Sequence, residues 1–348
     1  MSTPRVASIE RDGSSRGGPR WLPVLKFVVT LGILTALLTQ VDMAQLGAAI
    51  RSSLGPWLAL ALAANSLMLL TSTVKWERLL RSVGIVQRFG ALLRLYTIGF
   101  FFSSFLPGTV GGDVVRWHAA SATPDLRLRV AGTILAERVT GAVALVLLCV
   151  LLVGADAEHF ATAPTLLLLA GLGSALAGGL WLAWNPRLAE LLARGARGRA
   201  GWVLRPVAKL HAALTGIPTP ALLASVAWSL PFYVSAGLLF YLISLAFGVQ
   251  LSFVEAATVQ VLICLLTLVP ISLGGLGLAQ AGDVYLLGLL GIEPATALGM
   301  SFLRQAICYA YAALGAVLFA GWTGHPSVAE LRSLPDASMA VDADAGGS

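Results

Sequence analysis

The chain has 348 residues, 57% of them hydrophobic and 11% charged, with a net charge of +6. A soluble globular chain carries about 25% charged residues, so this composition excludes one and reads as an integral membrane protein. The positive charge does not point to nucleic acid, because the basic residues flank apolar stretches, where they set topology.

A helix of about 20 apolar residues crosses a hydrocarbon core of about 30 Å, and lipid-facing backbone must satisfy its own hydrogen bonds. The apolar stretches are therefore predicted as helices, and the fold class as an all-α polytopic membrane protein. Residues 1–20, rich in Ser, Gly, Pro and Arg, are expected to form a disordered cytoplasmic tail. The run Leu22–Val41 is long for a signal-peptide core and lacks a small-residue cleavage site, so it is predicted to remain as a span. The next spans are predicted at Pro56–Val74, Val130–Val153 and Pro164–Trp184, then at Ala221–Phe247 and Pro294–Trp322. Between them lie two shorter broken units, one from about Leu92 through Pro107 to Ala120, the other from about Glu255 through Pro270 to Leu290. The polar stretch over 323–348, with Asp336, Asp342 and Asp344, is expected to be a second disordered cytoplasmic tail.

Basic residues fix the crossing parity. Lys75, Arg78, Arg81, Arg88 and Arg94 mark one cytoplasmic segment, and six more between Arg187 and Lys209 mark the loop 185–220 as another. Two cytoplasmic ends require an even number of crossings, yet three apolar stretches intervene. The weakest, Leu95–Leu106, is a dozen residues long and is predicted to be the first arm of a re-entrant hairpin, leaving Arg116, Arg127 and Arg129 in a cytoplasmic loop. On this scheme 20 of the 23 Lys and Arg are cytoplasmic, Arg51 is outside, and Arg138 and Arg304 lie within the membrane. The domain 21–322 then holds six spans and two re-entrant hairpins. Its halves, about 55–153 and 221–322, repeat span, hairpin and span in opposite orientation, the inverted-repeat plan of secondary transporters.

The halves share a second pattern. Pro107, Gly111 and Gly112 precede Arg138, and Pro270, Gly274 and Gly275 precede Arg304, with 31 and 34 residues from proline to arginine. Proline removes a donor and glycine permits positive φ, so both triplets are predicted to break the hairpin helices. An arginine inside a span costs about 2.5–3.5 kcal/mol on insertion scales, so each calls for a reason. Two readings stand. Arg138 and Arg304 meet near the midplane and grip an anionic headgroup through the guanidinium fork; or they tie the repeats together through Glu137, Asp113 or Asp283. Glu137 cannot face its neighbour Arg138 on one helix, so it needs a partner elsewhere. Asp113, Glu137, Gln280 and Asp283 are expected to support the site, and Asn65, Gln260 and Gln280 to make helix-to-helix hydrogen bonds.

No HExxH, Walker or paired CxxC motif occurs, and no second carboxylate stands at a defined spacing from Glu137. Neither enzyme activity, metal nor cofactor is expected. Cys149, Cys264 and Cys308 read as small core or lipid-facing residues.

The runs FLPGTVGGDVVR from Phe105 to Arg116, Glu137-Arg138-Val-Thr-Gly141, and PISLGGLG from Pro270 to Gly277 followed by Arg304 together resemble the lysylphosphatidylglycerol synthase transmembrane family, over about Leu22 to Trp322. This flippase-like family includes the membrane domain of the multiple peptide resistance factor. The resemblance implies a multi-pass protein of the bacterial inner membrane, with both termini cytoplasmic, that moves an anionic lipid or lipid-linked headgroup between leaflets. The alternative is a non-transporting accessory protein whose basic loops dock a lipid-modifying enzyme or glycosyltransferase. Two departures count. Only a short polar tail follows Trp322, so aminoacyl transfer is not implied; and Gln280 stands where many relatives carry a glutamate, which removes that carboxylate from any proton coupling.

Overall fold

The computed structural model describes residues 55–104, 110–121, 124–197, 201–269 and 277–322. Among them the regular structure is entirely helical, in twelve helices. Five are long and apolar enough to cross a membrane: α1 (Gly55–Ser82), α4 (Pro124–Ala155), α6 (Ala163–Ala183), α9 (Thr219–Ala246) and α12 (Pro294–Ala320). They correspond to five of the six predicted spans. The sixth, Leu22–Val41, and both tails lie outside the described residues, as do Pro107, Pro270, Gly274 and Gly275. Proline in the first turn opens α6, α9 and α12, where its missing N–H costs no helix bond.

Four of the seven shorter helices form two pairs. α2 (Phe89–Ser103) has 15 residues, α3 (Val110–Ala119) 10, α10 (Phe253–Leu266) 14 and α11 (Leu278–Leu289) 12. At 1.5 Å per residue these measure about 15–23 Å, less than a hydrocarbon core. The first pair runs antiparallel. Gly112 lies against the Gly99 carbonyl and Ser103, the Arg116 side chain reaches back to Gly99 and Tyr96, and Gln87 donates to the Ala120 carbonyl at 3.2 Å. The second pair does the same. Gly282 packs on Ile263 and Leu266, while Glu255 near the start of α10 and Tyr285 in the second half of α11 both reach the 156–162 segment, Tyr285 through a 3.1 Å bond to Thr162.

The sequence reading placed Gly111 and Gly112 in the break of the first hairpin; both are helical, in the first turn of α3. The missing side chain serves packing instead of a left-handed turn, for a Cβ on Gly112 would stand 2.1 Å from the Gly99 oxygen. Arg116 is corrected likewise. It was expected in a cytoplasmic loop, but α3 carries it inward and buries it.

The bundle has unlike ends. One gathers the 83–88 turn, the close of α3, the start of α4, helices α7 (Pro186–Gly195) and α8 (Gly201–Thr215), and the close of α12. Arg129 bonds to Val83 there, Arg94 to Leu318 and Gly321, and Ala213 sits against Gly132. Among the described residues every Lys and Arg except Lys75, Arg116, Arg138 and Arg304 belongs to this end. The opposite end, with the short α5 (Ala157–Phe160), carries Asp156, Glu158, Glu255 and Glu293. α2 and α3 open toward the basic end, α10 and α11 toward the acidic one.

α9 packs against α1, α4, α10 and α12. Its Phe240 and Ile243, fully buried, anchor the main core with Leu145, Leu262 and Met300. α6 stands apart and touches chiefly α4; its Leu167 is 73% and Trp181 70% exposed, an apolar surface suited to lipid.

Candidate functional site

Halfway along the bundle, α1, α2, α3, α4, α9 and α12 enclose a cavity of about 460 Å³. Its charged and hydrogen-bonding lining includes Lys75, Tyr96, Asp113, Arg116, Glu137 and Arg138, and its apolar lining includes Met68, Phe100, Phe232 and Leu268. Arg138 stands 14 residues from the start of α4 and 17 from its end, so it lies roughly 20–25 Å from either end of that helix.

The charged groups form one chain of contacts. Arg116 donates from Nη1 to Glu137 Oε2 at 2.8 Å and from Nη2 to Asp113 Oδ1 at 2.6 Å. Asp113 Oδ2 in turn accepts from Nε of Arg138 at 2.9 Å and forms an ion pair with its Nη2 at 2.9 Å. Tyr96 donates its hydroxyl proton to Glu137 Oε1 at 2.6 Å, so both oxygens of that carboxylate are engaged. The Arg116 guanidinium lies against two aromatic rings, 4.4 Å from the Tyr96 ring centre and 4.8 Å from that of Trp76, which stabilises a desolvated cation. Lys75 Nζ donates to the Glu137 backbone carbonyl at 2.9 Å. Trp76 Nε1 bonds Thr133, and Tyr233 bonds the Gly141 carbonyl, so α1 and α9 fix the α4 turn that presents Glu137 and Arg138.

The two arginines singled out by the repeat differ. The Arg138 side chain is 45% exposed and lines the cavity. Arg304 is not among the lining residues; its side chain is 7% exposed and pairs at 2.5 Å with Asp283, which is fully buried. Ser301 donates to the same carboxylate, and Gln260 accepts from Arg304 at 3.1 Å. Each pair therefore closes within its own half, Asp113 with Arg138 and Asp283 with Arg304, instead of tying one half to the other. Glu137 finds its partners on α2 and α3. Gln280 accepts the Gly277 N–H at 2.6 Å, which caps α11, and it does not line the cavity. Gln260 makes the expected bond between helices; Asn65 faces the cavity.

Three site residues escaped the sequence reading. Lys75 and Arg116 were assigned to cytoplasmic segments, and Tyr96 drew no attention. A helix running past the apolar stretch would have carried Lys75 inward, and Arg116, three residues after Asp113, shares its helical face. Nothing in sequence marked Tyr96. Apart from the cavity, donor atoms of Asp156, His159 and Glu255 come within 4.8 Å of one another at the acidic end.

Residues 24–315 match a family model described as the lysylphosphatidylglycerol synthase TM region. The chain belongs to this family. No curated protein matches it. Membership in the lysylphosphatidylglycerol synthase TM family, with five membrane-length helices, makes this a multi-pass membrane protein of lipid biology. The family match takes in every described residue that lines the cavity, from Asn65 to Tyr311.

Proposed function

We propose that the protein moves an anionic phospholipid headgroup between leaflets, through the cavity, while the acyl chains stay in the bilayer. The observation that carries this reading is Arg138: a permanent cation halfway along its helix, open to a cavity lined by both charged and apolar residues, and held by a carboxylate that a phosphate would replace. A polar head in hydrocarbon is costly, and a wet polar path removes that cost. The short antiparallel pairs support the reading as re-entrant hairpins, since each is too short to cross and the two open to opposite ends, as an inverted repeat requires. The basic end is assigned to the cytoplasm by the positive-inside rule, in a bacterial inner membrane, with both termini on that side. No catalytic step is assigned.

In proteoliposomes with fluorescent lipids, Arg138→Gln is expected to abolish leaflet exchange while the variant keeps its thermal transition. Unchanged exchange would overturn the reading. One observation favours a second, non-transporting role beside a lipid-modifying or glycosyl-transferring partner: the Arg304 pair is buried and closed within its own half, as a purely structural pair would be. Under that role wild-type protein gives no exchange, and Arg138→Gln changes nothing.

A further inference from the structure

The cavity carries more positive than negative charge. Among the described residues three cations line it, Lys75, Arg116 and Arg138, against two carboxylates, Asp113 and Glu137. Arg116 spans both carboxylates, and Arg138 shares Asp113 with it. Lys75 is 6% exposed, and its bond goes to a backbone carbonyl. Among the described residues no carboxylate oxygen lies within 4.0 Å of its Nζ. An ammonium buried at membrane depth is expensive unless it answers an anion, and ionisable groups in such places mark ligand paths.

We propose that the cavity selects a headgroup with one phosphodiester and no ammonium, and that Lys75 is the residue that imposes this choice. The inference rests on the lipid-headgroup reading of the cavity. With every group ionised the site bears a single excess positive charge, which one phosphodiester cancels. Its oxygens take the Nε and Nη2 donors of Arg138 now held by Asp113, a bidentate geometry that suits phosphate. Asp113 keeps its bond to Arg116. An ethanolamine head brings its own positive charge and restores the excess; a lysyl ester brings two. Like charges brought this close repel, a device for rejecting the wrong partner. The lysylated lipid in the family's description is thus the head that this chain's cavity excludes. The apolar lining residues Phe100, Phe232 and Leu268 suit the glycerol end of a lipid and give a free phosphate nothing.

The test is calorimetric titration of the full chain in detergent with four probes: dihexanoyl-phosphatidylglycerol, its lysyl ester, dihexanoyl-phosphatidylethanolamine and glycerol 3-phosphate. The first is expected to bind at least about tenfold tighter than each of the others, one charged hydrogen bond being worth that much. Lys75→Met should lose this margin, and Lys75→Arg should keep it. Lysyl ester or ethanolamine lipid binding as tightly as phosphatidylglycerol overturns the proposal, as does an unaltered margin in Lys75→Met; glycerol 3-phosphate binding equally well makes the site one for a free anion and overturns it too. Should Lys75→Met not fold, the wild-type panel and Lys75→Arg still decide. Binding is read without vesicles, so selectivity without leaflet exchange would sink the transport reading and leave this one standing.

Discussion

Arg304 and Arg138 have the same chemistry and opposite surroundings, and the difference sets what their loss does. Removing one partner of a buried ion pair leaves the other charge unpaired at a cost of about 3–5 kcal/mol. Arg304→Gln is therefore expected to strip the fully buried Asp283 of its counter-ion and lower the midpoint of thermal unfolding in detergent, whereas Arg138→Gln, at a half-exposed side chain, should leave it nearly unchanged. Equal midpoints for the two variants would contradict the assignment of one arginine to stability and the other to the cavity. A second expectation belongs to His159, on α5 outside the spans. The Asp156 carboxylate, 2.8 Å from Nδ1, holds the imidazolium and raises the His159 pKa above its ordinary 6.5. A raised folded value means that the pair stabilises fully below pH 6.5 and fades as pH climbs through that raised value. Histidine resonances followed by NMR should show the elevated midpoint, and Asp156→Asn should return it toward 6.5.

At the scale of helices, the contact of α2 with α3 depends on two glycines facing each other. A Cβ on Gly112 would lie 2.1 Å from the Gly99 oxygen, and backbone cannot yield as a flexible side chain does. Gly112→Ala should destabilise the fold by about 1–3 kcal/mol or more, the usual cost of overpacking, and shift Asp113 and Arg116 away from Arg138 and Glu137. Gly179→Ala is the control: on α6 its Cβ would meet nothing within 4 Å, so helix propensity alone acts and stability should hold or rise. Denaturation of both variants in detergent reads the difference, and matching losses would show that the close approach does not hold the pair together. The same geometry explains why Gly112 looked like a helix breaker in sequence. Glycine serves both a turn and a tight crossing, and only the neighbour across the contact tells which.

For the molecule as a whole, the opposed openings of the two short pairs make a labelling prediction. In a cysteine-free background, single cysteines at Gln87 and Arg127 should react with a membrane-impermeant reagent from one side, and cysteines at Glu158 and Glu293 from the other. Reaction of all four from one side would break the proposed topology. The apolar runs by themselves determined that the chain is helical and where its long helices lie, because a helix satisfies its own backbone whatever surrounds it. Charge placement determined the contrast of ends in the same way: runs such as Arg187 to Lys209 lie together in sequence and need no partner to be read. The site was legible only in part. Arg138, Asp113 and Glu137 stood out as charges among apolar residues, but the sequence left open whether Arg138 meets Arg304 or a carboxylate, and folding set it beside Asp113 and near Lys75. Lys75 and Glu137 are 62 positions apart, and Tyr96 and Glu137 41. Helical periodicity states which face a side chain takes and never which helix will face it, so the cavity, its partners and its excess charge were decided by tertiary packing alone.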